Sequence, residues 1–138
     1  MNKTLLDTDI LSEILKAKDP AVVAKAAAYK AAFARLTLSA ITVMEIVKGF
    51  HQKGRADALP KFLEGLKTGE VLSFDQACAE TAGRIYGDLE RAGQPIGRAD
   101  PMIAATALQH SLVLATGNTD HYQRIQALGY PLKLDNWR

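Results

Sequence analysis

Carboxylates placed where strands give way to helices are the side chains of this sequence best suited to chemistry. Asp7 follows the short apolar run Leu5-Leu6, and helical spacing starts directly after it with Ile10, Leu11, Ile14 and Leu15. Asp9 adds a second carboxylate to the same turn. Glu45 and Asp100 fall in the first turns of expected helices, and Asp120 follows an expected strand and precedes a helix. In a parallel α/β fold, strand carboxyl ends and the amino ends of the helices that follow them share one edge of the sheet, where ligands bind. Asp7, Glu45, Asp100 and Asp120 can meet at that edge. Clustered carboxylates repel, so at least one takes up a proton unless a cation neutralises them. Oxygen ligands without cysteine point to Mg²⁺, with Mn²⁺ as a substitute, rather than to zinc. Such a site suits phosphoryl chemistry, in which a metal stabilises developing charge and activates water.

Taken singly, most of these acids have a plainer explanation. Thr8 or Asp9 can cap the first helix. Thr42 and Glu45 stand at the S/T-x-x-E spacing of a capping box. Asp100 before Pro101 is a helix-start signature. Asp7 is left over. His51, His110 and His121 lack zinc-site spacing and read first as surface or hydrogen-bonded residues, with His121, beside Asp120, the exception. Cys78 is the only cysteine; it rules out an internal disulfide and reads as a core residue rather than a nucleophile.

The elements that must position these residues follow in order. Asp19-Pro20 starts a second helix, expected over 21–35, and Leu36 to Ser39 alternates as a short strand. Val43, Ile46, Val47 and Phe50 mark one face of the helix carrying Glu45. Residues 52–69 read as a helical arm with Leu59, Phe62, Leu63 and Leu66 inward, and 71–74 as a brief strand. Asp75 caps a long helix with Cys78, Ala82, Ile85, Tyr86 and Leu89 on one stripe, ending at Gly93. A loop over 94–99 leads to a helix from Asp100 that is apolar nearly all round and therefore central. Leu112 to Ala115 is a continuous apolar run typical of a buried parallel strand. A short helix to Leu128 and a last strand over 132–134 complete the chain. Strands alternating with helices predict a three-layer α/β/α domain with a mostly parallel central sheet, one domain spanning 1–138.

Composition sets the outer limits. A chain of 138 residues, 48% hydrophobic and 23% charged, suits one globular core and disfavours disorder and membrane spanning. No basic segment followed by a long apolar stretch opens the chain, so no secretion signal is expected, and the expected compartment is cytoplasmic. The net charge of +2 neither demands nor excludes a polyanionic partner.

The ordered set LLDTDILSE, LSAITVMEIVKG, GRADPMIAATALQHSLVLATGN and the terminal Asn136-Trp137 resembles the PIN-domain ribonucleases, specifically the VapC/FitB-like toxins of toxin–antitoxin pairs, over nearly the whole chain. By that resemblance Asp7, Glu45 and Asp100 match the family's three recurring acids, and Ser39, Thr42 and Thr116 match polar residues lining the same site. Members often have asparagine at the place of Asp9. Asn118 stands where some carry aspartate and His121 where others carry an acid, with Asp120 between them. The resemblance implies a Mg²⁺-dependent endoribonuclease that cuts RNA, in several members tRNA. It also implies a cognate antitoxin partner and a homodimer. Asp7 and Asp100 would ligate the metal, directly or through water, and Glu45 would hold or deprotonate the attacking water. Lys48, Lys53, Arg55 and Arg98 would steer the RNA backbone, and the antitoxin would cover the acidic edge or the first two helices around Leu11, Ile14 and Leu15. Two other readings remain open from sequence: a haloacid-dehalogenase-like phosphatase with Asp7 as nucleophile, and a PIN-like module that binds RNA or protein without cutting.

Overall fold

The computed structural model describes residues 1–138. Five short strands form one all-parallel sheet: β1 Thr4–Leu6, β2 Thr37–Ser39, β3 Glu70–Leu72, β4 Val113–Ala115 and β5 Lys133–Asp135, in the order β3-β2-β1-β4-β5. Seven α-helices connect them: α1 Thr8–Lys16, α2 Pro20–Phe33, α3 Ala40–Gln52, α4 Leu59–Leu66, α5 Gln76–Arg91, α6 Asp100–Gln109 and α7 Thr119–Ala127. The three-layer α/β/α expectation holds.

Successive residues of a strand face opposite sides of a sheet, so a strand buried on both faces is apolar throughout. Leu5 and Leu6 are both fully buried, and they belong to different cores. Leu5 packs with Ile85 and Leu89 of α5, Ile103 of α6 and Ile125 of α7. Leu6 packs with Ile10, Leu11, Val22, Tyr29 and Trp137 on the other side. Leu114 and Ala115 divide between the two cores in the same way.

This strand order also locates a crevice. From β1 the chain winds outward through β2 to β3, then returns to place β4 on the other side of β1. The direction of winding reverses between β1 and β4, and the helices leaving those two strands part there, opening a crevice beyond the strand ends. Asp7 follows β1 and Thr116 follows β4, with Leu6 opposite Ala115 in register.

Several local expectations shift. Ser39, not Thr42, caps α3: its Oγ accepts the Thr42 N–H at 3.1 Å, and Thr42 itself is buried. Glu45 therefore lies in the second turn and is not half of a capping box. Asp7 occupies the N-cap of α1, accepting the Thr8 N–H, in place of Thr8 or Asp9. Ala99 precedes α6, and Asp100 makes no capping bond. The third strand runs 70–72 rather than 71–74, because Glu70 is held by Thr37 Oγ1 and Lys3. Leu63, expected inward, is 47% exposed, whereas Phe62 is buried. Leu11 is core, which removes it from any docking surface on the first helix; Leu15 is exposed.

Candidate active site

Asp7 sits at the mouth of the crevice with both carboxylate oxygens engaged. Oδ1 accepts the Thr8 N–H at 2.9 Å and Oδ2 accepts the Thr116 hydroxyl at 2.7 Å. At 4% exposure, burial pushes its pKa up to about 7, and the nearby charges of Asp9 and Asp100 push the same way. The two hydrogen bonds oppose that rise without cancelling it.

Asp9 faces the same space from the first turn of α1. Its Oδ2 accepts the Gly117 N–H at 2.9 Å, and Arg138 Nη2 lies 3.7 Å away. Burial raises its pKa, while the Gly117 bond and Arg138 lower it. A side chain at residue 117 would collide here: a Cβ would lie 2.8 Å from Asp9 Oδ2 and 2.9 Å from Arg138 Cζ. Glycine is what lets the strand-end loop approach both groups.

Glu45 is reached through a line of hydroxyls. The Thr8 hydroxyl donates to Glu45 Oε1 at 2.5 Å, and Thr42 Oγ1 lies 3.0 Å from Thr8 Oγ1. Ser39 Oγ donates in turn to Thr42 Oγ1 at 3.4 Å. A hydroxyl has one hydrogen to give, so donation runs from Ser39 to Thr42 to Thr8 and ends on the accepting Glu45 Oε1. Ser39, Thr42 and Thr116 are thus buried supports that fix the acids from beneath rather than residues lining the crevice.

Asp100 enters from α6. Its Oδ2 lies 3.0 Å from His121 Nδ1 and 3.5 Å from Asn118 Nδ2. The Tyr86 hydroxyl donates to the Arg98 carbonyl and ties down the loop that delivers Asp100.

Together Asp7, Asp9, Glu45 and Asp100, with Thr8, Gly117, Asn118 and Arg138, enclose a cavity of about 520 Å³ that no hydrophobic side chain lines. Asp120 is the exception among the acids singled out in the sequence. It is exposed in the first turn of α7 and does not line the cavity, because α7 turns the neighbouring His121 toward Asp100 instead. Lys48, Lys53, Arg55 and Arg98 are exposed and also stand outside it. Gly117 and Arg138 were not singled out in the sequence, and Thr8 only as a candidate helix cap; the three line the cavity. The signals available for Thr8 and Gly117 were the DTD and TGN turns, whereas nothing local marks Arg138, which the buried Trp137 delivers to the cavity rim.

The donor set fits a hard divalent cation. No three His, Cys, Asp or Glu side chains form a ready-made cage of ligands. Mg²⁺ does not need one, since it keeps several waters and is held by one or two carboxylates. Burial of like charges beside one another, with Asp7 raised to about 7, is relieved by such an ion.

The model of the PIN domain family matches residues 4–127. The chain is 32% identical to the tRNA(fMet)-specific endonuclease VapC of Shigella flexneri over 129 residues, covering 93% of this chain and 96% of that one. It is 33% identical to Toxin FitB of Neisseria gonorrhoeae, covering 86% and 89% respectively. Among solved structures, DNA-bound VapBC from Salmonella typhimurium superimposes with a TM-score of 0.82 at 28% identity over the full length of both chains. FitAcB from Neisseria gonorrhoeae does so with a TM-score of 0.76 at 30% identity over 97% of each. A five-stranded parallel sheet with acids converging at its switch point, matched over nearly its whole length by these proteins, makes the chain a member of the PIN domain family and, within it, a ribonuclease of the VapC type.

Proposed function

We propose that this ribonuclease is a Mg²⁺-dependent endoribonuclease that acts as the toxin of a toxin–antitoxin pair, cutting RNA until a cognate antitoxin restrains it. The observation that carries the proposal is the convergence of Asp7, Asp9, Glu45 and Asp100 on one wholly polar cavity. A module that only binds RNA gains nothing from such a cluster, since like charges oppose both folding and approach of a polyanion.

Asp7 and Asp100 would hold the cation, from the two strand–helix systems that meet at the crevice. The bound Mg²⁺ would supply charge neutralisation at the scissile phosphate and lower the pKa of water. Glu45 accepts the proton of the attacking water, and the Thr8 hydroxyl holds its Oε1 in place. Thr116 and the Thr8 backbone keep Asp7 in one rotamer. Arg138, at the rim beside Asp9, offers a guanidinium to a backbone phosphate. The exposed Lys48, Lys53, Arg55 and Arg98 steer the RNA by charge. A phosphatase using Asp7 as nucleophile is disfavoured, because the carboxylate is buried and both oxygens are already hydrogen-bonded.

The name of the Shigella flexneri relative makes tRNA the first substrate to test. The VapBC and FitAcB complexes support an antitoxin partner. A homodimer is part of the proposal, and exposed Leu15 and Val23 on α1 and α2 provide apolar surface for one of these associations. The test is expression in a bacterial host with and without the adjacent small gene. Growth arrest relieved by co-expression, with tRNA fragments appearing during arrest, is expected. Normal growth despite accumulation of the folded protein would refute the toxin reading.

A further inference from the structure

The segment after β5 places one basic side chain among the acids. Trp137 is buried in the core with Leu6, Leu11 and Tyr29, its ring centroid 5.9 Å from that of Tyr29. Asn136 Oδ1 accepts the Arg138 N–H at 3.0 Å and fixes the turn between them. The backbone of Arg138 is therefore held, while its side chain stays 44% exposed. Of the eight residues lining the cavity, four are acids and Arg138 is the only base. Its guanidinium rests against Gly117, where a Cβ would lie 2.9 Å from Nη1. Nη2 lies 3.7 Å from Asp9 Oδ2 and 3.8 Å from Glu13 Oε1. Asp9 and Glu13 stand one turn apart on the same face of α1. Both separations exceed a hydrogen bond, so charge draws the guanidinium to this pair while its donors stay unspent. Glu13 does not line the cavity, and it shares its charge with Lys16 Nζ at 3.9 Å.

We propose that Asp9 and Glu13 form a resting place for Arg138, from which the guanidinium moves to a backbone phosphate when RNA enters the cavity. The inference rests on the reading of this cavity as the site that takes RNA, and it adds a role for Glu13. Exposed ion pairs at such separations hold weakly. A phosphate instead offers the guanidinium two parallel N–H···O bonds, which are shorter and stronger. Only the side chain has to swing, because Trp137 and Asn136 hold the backbone. The two carboxylates of α1 thus compete with RNA for one guanidinium. Glu13 thereby sets how tightly the RNA backbone is held without touching it.

The experiment measures the dissociation constant of total tRNA in EDTA, across a salt series, for wild type, Arg138→Met, Glu13→Gln and the double variant. Methionine keeps an apolar stem over Gly117, and melting temperatures check that each variant is folded. Arg138→Met should weaken binding about tenfold, through loss of a charge-assisted phosphate contact. It should also lower the slope of affinity against salt by about one. Arg138→Lys, which keeps the charge and loses the planar fork, should fall between. Glu13→Gln should tighten binding by roughly twofold to fivefold. In the double variant that gain should vanish, whereas simple repulsion between Glu13 and RNA would persist without Arg138. An equal gain from Glu13→Gln in both backgrounds would overturn the proposal, and so would unchanged affinity and salt slope in Arg138→Met. If wild type binds tRNA yet cuts no RNA in Mg²⁺, the catalytic reading fails while the same cycle still decides this inference. A wild type that binds no tRNA would overturn it.

Discussion

His121 Nδ1 lies 3.0 Å from Asp100 Oδ2, joining the first turn of α7 to the first residue of α6 across the cavity wall. Asn118 Nδ2 lies 2.8 Å from the same ring nitrogen, so His121, Asn118 and Asp100 form one polar cluster that fixes the rotamer of Asp100. His121→Ala should weaken Mn²⁺ binding roughly tenfold and lower kcat to a similar extent, in the range usual for partners of ligating carboxylates. Calorimetry together with a cleavage assay would check this; unchanged affinity and kcat would show that Asp100 is held by its own helix.

Gly97 limits Asp100 from the other side. A Cβ at that position would lie 2.9 Å from Asp100 Oδ2 and 3.2 Å from Cγ, so Gly97→Ala must move the carboxylate. Displacements of this kind cost on the order of a hundredfold in rate when a reacting group is misaligned. The expected outcome is a large loss of kcat with a melting temperature near wild type. Retained kcat would mean that the loop yields instead of the carboxylate.

The raised pKa of Asp7 makes the metal-free protein sensitive to pH. With the folded value near 7 and the unfolded value near 3.8, the native state holds a proton between those limits that the unfolded chain has released. Stability from this group is therefore fully present in acid, falls as pH rises from about 4 to about 7, and is constant above. The slope is at most about 1.4 kcal/mol per pH unit. Asp7→Asn should flatten that part of the profile in urea unfolding at constant ionic strength without metal. A wild-type profile that rises over this interval, or one unchanged by the substitution, would contradict the placement of Asp7 among uncompensated charges.

Much of this architecture was legible because periodicity and punctuation agreed. The Leu5-Leu6 and Leu112 to Ala115 runs announced buried strands, and Asp19-Pro20 and Asp75 announced helix starts that the structure places at the same residues. Asp7, Glu45 and Asp100 were found by their positions at strand ends and helix starts, and they do share a cavity. The failures have a common physical cause. Thr42 and Asp120 fit local capping and strand-end patterns, but the direction of a side chain in a helix's first turn depends on where the helix begins. A shift of three residues put Ser39, not Thr42, at the cap of α3. In α7, His121 faces the site and Asp120 faces solvent. Contacts such as Arg138 with Asp9 join residues more than a hundred positions apart and leave no periodic trace.

The convergence of acids tests most directly through single amides. Wild type, Asp100→Asn and Asp120→Asn are incubated with total RNA in Mg²⁺ or in EDTA, and the initial cleavage rates are compared. Cleavage by wild type only with Mg²⁺, loss of a hundredfold or more in Asp100→Asn, and a rate near wild type in Asp120→Asn are predicted, since Asp100 lines the cavity and Asp120 lies outside it. Undiminished cleavage by Asp100→Asn, or cleavage that persists in EDTA, would contradict the assignment of this cavity as the metal-dependent site of RNA hydrolysis.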